Sequence, residues 1–375
     1  GAGGAIYSWS ANITVSNSNF VNSIASKNGG AIYVDNNCSV IVSNSTFTDT
    51  TSDMYGGAIT GYNVTVIDST FINTTANYSG AISGFDVNVI DSLFTNTKAN
   101  NSGGAITGFD VNVIGSNFIN TIANNSGGAI YSHIGGISVT NSTFNNNMAG
   151  NDGGAIKGEN VTVISSSFID NAAFGDGASI YASGLNLKDS TFNSPKADGS
   201  AIIHIKSSNN DTVNLNNNTI KSNLPAIYND GGIIISPTTL TFNNVKVEKD
   251  DNAILTAVLT DDNGNIIGSN TPVTGTVNGT NVTFPFNETT MKFSVVYNET
   301  AVEGEYPITG NYNKAIDCNV TNGILEVGNI IDFKDLQDIV DAASPNAVIY
   351  LNGTDYTAKP GQSEVIINKT LTIIG

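Results

Sequence analysis

The chain has 375 residues and a formal net charge of −18, with only 12% charged residues and no arginine. So acidic a chain cannot supply the basic groove that binds nucleic acid or a polybasic patch that binds anionic lipid, and polyanionic partners are disfavoured. No apolar run is long enough to span a bilayer, and two cysteines, Cys38 and Cys318, are too few for a disulfide-stapled fold. They are interpreted as free thiols or, alternatively, as an intermolecular bridge.

The first 230 residues repeat a Gly-Gly-Ala-Ile phrase at intervals of 22 to 27 residues. A Val-x-Val alternation and then a run ending in an aromatic residue follow most copies, and Asn, Ser, Asp and Gly separate the runs. Three short strands per period predict a right-handed parallel β-helix of about ten rungs, in which each strand pairs with its copy one turn away. The marker positions are Ala5, Ala31, Ala58, Ala81, Ala105, Ala129, Ala155, Ser179 in a slipped copy, Ala201 and Ala226.

Apolar and polar positions alternate within the runs, so the apolar side chains should point into the coil. Val64 and Val66 flank Thr65, whose position holds Thr, Asn or Ser in the other rungs. The first run carries an isoleucine in every copy, including Ile202, and the column beside it, with Lys157 and several tyrosines, should face solvent. The predicted core columns are Ile32, Ile59, Ile82, Ile106, Ile130, Ile156, Phe47, Phe71, Phe94, Phe118, Phe144 and Phe168.

Asparagine or aspartate stands two residues after the aromatic marker in most rungs. Stacked asparagine side chains can hydrogen-bond along a β-helix, and asparagine tolerates the left-handed backbone that corners need. This structural role explains the column without a ligand, although Asp49 and Asp170 leave an incidental cation as an alternative. The column comprises Asn22, Asp49, Asn73, Asn96, Asn120, Asn146 and Asp170.

From about Ser236 the repeat gives way to longer alternating strands, which predict an immunoglobulin-like sandwich without the Cys-Trp-Cys core of antibody domains. An Asp-Asp-Asn-Gly-Asn cluster at 261–265 is either a hairpin turn or a calcium loop. The turn is favoured because no glutamate follows at the spacing of an EF-hand. The expected strands cover 240–247, 253–259, 280–286, 292–297 and 306–312.

In the last segment, apolar residues at helical spacing predict an amphipathic helix over 333–343 with Asp332 as its N-cap. Strands are expected over 347–351, 365–367 and 371–375. A helix laid across the open end of a coil would shield its first rung, so this segment should open a second β-helix. The predicted domains are a β-helix at 1–236, a sandwich at 237–328 and the cap of a following β-helix at 329–375.

Several phrases together suggest a known family. The Gly-Gly-Ala-Ile and Asn-Ser-Thr-Phe phrases, with the tail phrases Asp335-Leu336-Gln337 and Leu371-Thr372-Ile373-Ile374-Gly375, resemble the adhesin-like surface proteins of methanogenic archaea. Those secreted proteins alternate β-helix blocks with immunoglobulin-like modules, and the resemblance covers the whole chain. Gly-Gly-Ala-Ile is also similar to a phrase of the chlamydial polymorphic outer-membrane autotransporters, whose Phe-x-x-Asn is usually Phe-x-Asn here.

An enzyme is the alternative from another class, because parallel β-helices of the pectate-lyase-like shape include polysaccharide lyases and hydrolases. Lyases need a base and a cation near the substrate carboxylate, which an arginine-free acidic chain supplies poorly, and hydrolases need close carboxylates in a groove. His133 and His204 lie in different rungs without an aligned acid motif and are interpreted as ordinary surface or strand residues. We expect no enzyme activity, catalytic residue, metal or cofactor.

A regular Ser, Thr and Asn surface suits a scaffold or weak multivalent binding. Aromatic residues expected on one face are candidate glycan contacts, and numerous Asn-x-Ser/Thr sequons are candidate N-glycosylation sites. The aromatic candidates are Tyr7, Trp9, Tyr33, Tyr131 and Tyr181. The sequon candidates are Asn12, Asn44, Asn63, Asn73, Asn141, Asn160, Asn281, Asn287, Asn298 and Asn319.

These features predict a non-catalytic, extracellular, structural or adhesive segment of a cell-surface fibre, and an internal piece of a longer polypeptide. Its expected partners are other copies or segments of the fibre, cell-surface glycans and neighbouring cells. A self-assembling extracellular filament is the second possibility. In that case the alanine column could form a smooth stripe between packed rods, and coil ends could stack head to tail.

Overall fold

The computed structural model describes residues 1–194, 199–247, 249–328, 331–350, 356–359 and 361–374. The repeat folds into a parallel β-solenoid, which confirms the predicted parallel pairing of each strand with its copy one rung away. Register is kept residue by residue, so that Ile32 pairs with Ile59 and Phe71 pairs with Phe94. The β-former runs are too short to bury their apolar side alone, and stacking the rungs buries it as one continuous core.

The first and second runs lie in one sheet and merge into single strands at Ile156–Ile164 and Ile180–Lys188. The other first-run strands are Ile6–Ser8, Ile32–Val34, Ile59–Thr60, Ile82–Ser83, Ile106–Gly108, Ile130–Ser132, Ile203–Lys206 and Ile227–Asp230. The other second-run strands are Ile13–Ser16, Ser39–Ser43, Asn63–Ile67, Asp86–Ile90, Asp110–Ile114, Gly136–Thr140, Thr212–Asn216 and Ile233–Ile234.

The third run forms a second sheet, and a fourth run of two-residue strands, which was not predicted, forms a third. The third-run strands are Asn19–Val21, Thr46–Thr48, Thr70–Ile72, Leu93–Thr95, Asn117–Ile119, Thr143–Asn145, Ser167–Ile169, Thr191–Ser194 and Thr219–Ser222. The fourth-run strands are Ile24–Ala25, Thr51–Ser52, Thr75–Ala76, Lys98–Ala99, Ile122–Ala123, Met148–Ala149 and Ala172–Ala173. Each fourth-run strand buries one small residue, so its sequence signal is a single alanine or serine.

The Gly-Gly-Ala-Ile phrase is explained by crowding between rungs. Gly56 has a φ of +62°, and a Cβ on Gly57 would lie 2.1 Å from the Gly80 carbonyl oxygen of the next rung. Ala58 and Ile59 follow with no exposed surface. The alanine column is therefore inside the coil, and the expected alanine stripe between packed rods is wrong.

The aromatic markers stack as a ladder through the core. Rings from Phe20 to Phe192 follow one another at centroid distances of 4.6 to 4.9 Å and are nearly parallel. All the phenylalanines and isoleucines expected in the core columns have no exposed surface.

The corner column has the structural role that its pattern predicts. Asn73, Asn96 and Asn120 have φ values of +53°, +54° and +55°. Their Nδ2 groups donate from rung to rung, from Asn73 to Asp49, Asn96 to Asn73 and Asn120 to Asn96, at 3.0 to 3.3 Å. The serine of the phrase Asn44-Ser45-Thr46-Phe47 is also structural, since Ser45 Oγ donates to the Ser43 carbonyl oxygen and accepts the Ser18 amide.

One predicted register is wrong by a residue. Ile180 pairs with Ile203, not with Ile202, and Ile203 pairs in turn with Ile227. Ile202 accepts the backbone hydrogen bond of Ser179 and so occupies the alanine position. Both isoleucines are fully buried, so alternation of polar and apolar residues could not separate the two registers. This one-residue shift in register also places His204 in the column of Tyr181.

Beyond the solenoid, two mainly antiparallel sheets enclose a core that includes Leu255 and Phe284. The expected strand 240–247 breaks at Asn243, because Thr238–Phe242 joins one sheet and Val245–Val247 the other. The first sheet contains Thr238–Phe242, Ala253–Thr260, Phe286–Asn287, Lys292–Tyr297 and Cys318–Thr321. The second contains Val245–Val247, Val273–Val277, Thr280–Phe284, Gly304–Asn311 and Gly323–Val327.

The solenoid and the two sheets that follow it are joined by a strand. Ile267–Gly268, which lies between strands of those two sheets in the sequence, pairs in parallel with Ile227 and Tyr228 and continues the solenoid sheet. The 261–265 cluster forms the preceding turn, closed by an antiparallel bridge between Thr260 and Ile266, which confirms the turn interpretation. Asp261 Oδ1 accepts the amides of residues 263 and 265, and both of those asparagine side chains donate to the residue 218 carbonyl oxygen.

The final described residues contain a helix, Phe333–Ala342, and two parallel strand pairs. Ile331–Asp332 pairs with Tyr356–Thr357, and Val348–Tyr350 pairs with Thr372–Ile374. The strand expected at 365–367 is wrong, because the Gln337 amide side chain holds both backbone groups of Ile366. The expected strand ends at Leu351 and Gly375 lie outside the described residues, as do residues 329 and 330.

Candidate ligand-binding surfaces

The expected aromatic face lies along the first run but is interrupted. Tyr7 and Tyr33 stack at 5.7 Å, and Tyr131 and Tyr181 belong to the same column several rungs away. Thr60, Ser83 and Thr107 occupy the positions between the two groups. Trp9, just past the first strand, is 64% exposed. The five aromatic residues thus lie along one side without forming one site.

Tyr181, in the second tyrosine group, is partly buried and lies beside charged side chains. Lys157 forms an ion pair of 2.8 Å with Asp152 and lies 4.8 Å from the centre of the Tyr181 ring. Burial, with the nearby Asp152, Asp176 and Asp230 carboxylates, raises the pKa of Tyr181 to about 12. Its hydroxyl therefore stays protonated at neutral pH.

His204 continues this column between Tyr181 and Tyr228, with ring centroids 5.4 and 5.3 Å away. It is a strand residue, one of the two alternatives predicted for it, and it is only 5% exposed. Burial lowers the pKa of His204, and the Asp176 and Asp230 carboxylates partly oppose that effect. Nε2 is buried and has no hydrogen-bond partner among the described residues.

The surroundings of His204 do not form a nucleophilic relay. Ser200 Oγ lies 3.0 Å from Nδ1, and an Asp176 carboxylate oxygen lies 3.6 Å from the same nitrogen. A relay needs the hydroxyl on one ring nitrogen and the carboxylate on the other. His133 is exposed in a different rung and contacts the Tyr131 hydroxyl at 3.2 Å. The structure does not bring the two histidines into one cluster.

A second aromatic feature, not predicted, is an exposed ridge formed by Tyr62, Phe85 and Phe109 in three consecutive rungs. Their rings stack at 4.9 and 4.7 Å, and each ring is between 37% and 40% exposed. The Phe85 amide donates to the Tyr62 carbonyl oxygen and the Phe109 amide to that of Phe85, so the backbone of the ridge is held in register. The sequence signal was the recurrence of Gly-aromatic after the first run.

The glycine before each ridge residue is required by the core. A Cβ on Gly84 would lie 2.8 Å from a methyl group of Val87, and one on Gly108 would lie 2.7 Å from a methyl group of Val111. The chain therefore turns tightly against the core at this point. The aromatic residue that follows lies on the outside of the bend.

A groove runs beside the ridge along the outer side of the second run. It has a volume of about 560 Å³ and is lined by polar side chains that include Asp86, Asn88, Asp110 and Asn112. A further groove of about 310 Å³ shares Asn160 and Thr162 with it and extends toward later rungs. On the other side of the ridge, Tyr62 and Phe85 border a pocket of about 210 Å³ with Tyr33 and Thr60.

Side chains in the main groove are already ordered from rung to rung. Asn112 Nδ2 donates to Asn88 Oδ1 at 3.4 Å, and an Asp110 carboxylate oxygen accepts the Gly136 amide at 2.8 Å. An amide side chain has two N–H donors and a carbonyl acceptor, so one rung-to-rung bond leaves it capacity for a ligand.

The predicted sequons differ in accessibility. Asn44 and Asn141 are exposed at left-handed corners, whereas Asn63 is half-buried with its Oδ1 enclosed. Asn73 Nδ2, the atom that would carry a glycan, donates within the corner ladder. The remaining candidates, Asn12, Asn160, Asn281, Asn287, Asn298 and Asn319, are exposed.

Cys38 and Cys318 are both half-buried and free, so neither forms a disulfide within the chain. Among the described residues there is no group of three or more His, Cys, Asp or Glu side chains placed to hold a metal ion. Nor does a helix in the described part of the chain have the length and hydropathy of a membrane span.

Comparison with protein-family models, with curated proteins and with solved structures gives no match for this chain.

Proposed function

We propose that the chain is a non-catalytic, extracellular segment of a cell-surface fibre that supplies reach and a repetitive binding surface. The observation that carries the proposal is the strand-level joint between solenoid and sandwich. Ile267–Gly268 continues the solenoid sheet, and the buried Asn229, Ser269 and Tyr312 hydrogen-bond across the joint. Flexible linkers allow domains to reorient, whereas a shared sheet and a buried polar network favour a stiff rod.

Two finer features support an alternating architecture like that of the adhesin-like proteins of methanogenic archaea. Two facing, mainly antiparallel sheets over roughly ninety residues favour an immunoglobulin-like sandwich at 237–328. In the 329–375 segment, the paired residues Ile331 and Tyr356, and likewise Val348 and Thr372, are separated in sequence by about one solenoid rung. This spacing favours the start of a second right-handed β-helix, capped by the helix Phe333–Ala342.

Electron microscopy of native material labelled with antibodies against this chain tests the proposal. We expect label on the cell surface, along long fibres with a regular domain repeat. Label confined to the cell interior, or on discrete particles, would contradict it. Incubation of the purified chain with polygalacturonate and other polysaccharides addresses the enzyme alternative, and release of unsaturated or reducing sugar ends would establish a catalytic role.

A further inference from the structure

We infer that the groove beside the Tyr62, Phe85 and Phe109 ridge binds an uncharged polysaccharide that lies along the solenoid axis. The inference deepens the proposed adhesive function by naming a ligand class and a site. The site differs from the five aromatic residues of the first-run face.

The ridge is the first element of the site. Single exposed aromatic residues are ordinary on protein surfaces, but three stacked rings in consecutive rungs form a contiguous apolar strip. The rings are held in place by rung-to-rung backbone bonds and by the tight bends at Gly84 and Gly108, so little conformational entropy is lost on binding. Aromatic side chains offer a large rigid surface to the C–H faces of sugar rings.

The groove supplies the complementary polar element. Asn88, Asn112, Ser138 and Thr162 present amide and hydroxyl groups in successive rungs, in register with one another. Such groups both donate and accept hydrogen bonds, as sugar hydroxyls do. Because the same arrangement returns with each rung, a ligand with repeating units can use several copies at once, which raises its avidity.

The negative charge of the groove determines which class of polysaccharide it can bind. The side chains that line the groove include the carboxylates of Asp86 and Asp110 and no lysine or histidine. The whole chain carries a net charge of −18. Uronate-rich and sulfated polymers would therefore be repelled, and a polymer of neutral sugars fits both the groove and the ridge.

Affinity electrophoresis of the purified full chain tests the inference with hydroxyethyl cellulose, dextran and soluble starch as uncharged probes and polygalacturonate as the anionic probe. We expect retardation by at least one uncharged polymer and none by polygalacturonate. The double variant Phe85→Ala, Phe109→Ala should weaken that retardation about tenfold. Phe174→Ala, which removes a single ring that is 73% exposed elsewhere on the solenoid, is the matched control and should bind within about twofold of the parent chain.

A second variant does not depend on how the ridge variant folds. Ser138→Trp fills the groove and leaves the ridge residues unchanged, and it should also reduce retardation about tenfold while retaining the parent unfolding midpoint. The inference is overturned if all three uncharged polymers fail to retard the chain, if polygalacturonate retards it more, or if folded ridge and groove variants bind normally. These outcomes leave the fibre proposal intact, because microscopy of native material tests that separately.

Discussion

Asn229 Nδ2 donates a hydrogen bond to the Tyr312 hydroxyl at 3.1 Å, across the joint between solenoid and sandwich. The hydroxyl donates in turn to Ser269 Oγ at 2.8 Å, and that serine donates to the Asn229 carbonyl oxygen at 2.6 Å. All three residues are buried, so each loses access to water when the joint forms. Removing one member therefore breaks hydrogen bonds that water cannot replace at this buried position.

Tyr312→Phe should lower the free energy of unfolding by about 1–3 kcal/mol, because the buried Asn229 Nδ2 loses one of its two acceptors and Ser269 Oγ loses the hydroxyl that donates to it. Urea titration followed by circular dichroism measures the change. Tyr306→Phe is the matched control, since its hydroxyl bonds the Val302 carbonyl oxygen at an exposed position. Equal losses in the two variants would mean that the joint network contributes little to stability.

Phe118→Ala should lower the free energy of unfolding by about 3–5 kcal/mol, since it opens a cavity between the fully buried rings of Phe94 and Phe144. Phe118→Leu, which fills part of that space, should cost less. Phe20→Ala in the same column is the comparison. Because Phe20 is only half-buried, this variant should lose clearly less free energy of unfolding than Phe118→Ala. Urea midpoints measure the three losses, and a loss at position 20 as large as that at 118 would show that burial does not set how much each ring contributes to stability.

The solenoid could be predicted from the repeat because each position in a rung admits only a few residue types. A column such as Phe47 and Phe71 must be apolar and of one size, and the rung contact at Gly57 excludes any side chain. The corner asparagines were predictable for the same reason, since the left-handed backbone at Asn96 favours few residues.

Other features of the structure could not be predicted because their sequence pattern is too weak. The fourth run shows only one small residue per rung, such as Ala99, and the register near Ile202 rested on two equally buried isoleucines. The departure of Ile267–Gly268 from the sandwich depends on contacts distant in sequence. The ridge residues, Phe85 among them, follow a glycine in each rung, but only the structure shows that they stack outside the core.

Substitutions of Asn120 distinguish the two roles of the corner column, which are rung-to-rung hydrogen bonding and a left-handed backbone. Its Nδ2 donates to Asn96, its Oδ1 accepts from Asn146, and its φ is +55°. Asn120→Gly and Asn120→Ala both remove the side-chain bonds, but alanine keeps a Cβ in the left-handed region and glycine has none, so alanine should cost about 1 kcal/mol more than glycine. Thermal unfolding measures both. Asn124→Ala, at an exposed position, should change stability little, and an alanine no worse than glycine at 120 would argue against the backbone role.

His204 should make the stability of the solenoid depend on pH. Burial between Tyr181 and Tyr228 lowers its pKa below the ordinary value of 6.5, although the carboxylates of Asp176 and Asp230 oppose the shift. Well above pH 6.5 the imidazole is neutral in both the folded and the unfolded state, so its burial makes stability no more dependent on pH. As the pH falls below that value, the unfolded chain binds the proton first. The free energy of unfolding should then decrease until the pH passes the lowered folded-state pKa.

His204→Phe tests this pH dependence, because a phenyl ring preserves the stacking with Tyr181 and Tyr228 and cannot take up a proton. We expect the parent chain to lose stability relative to this variant as the pH falls from 7 toward 5, with the difference constant above pH 7. Urea midpoints across that range measure it, and His133→Phe, at an exposed histidine, controls for loss of an imidazole. A difference between parent and His204→Phe that stays flat, or that favours the parent chain at low pH, would show that the buried imidazole gains a proton without cost. In that case the carboxylates of Asp176 and Asp230 would outweigh burial at this site.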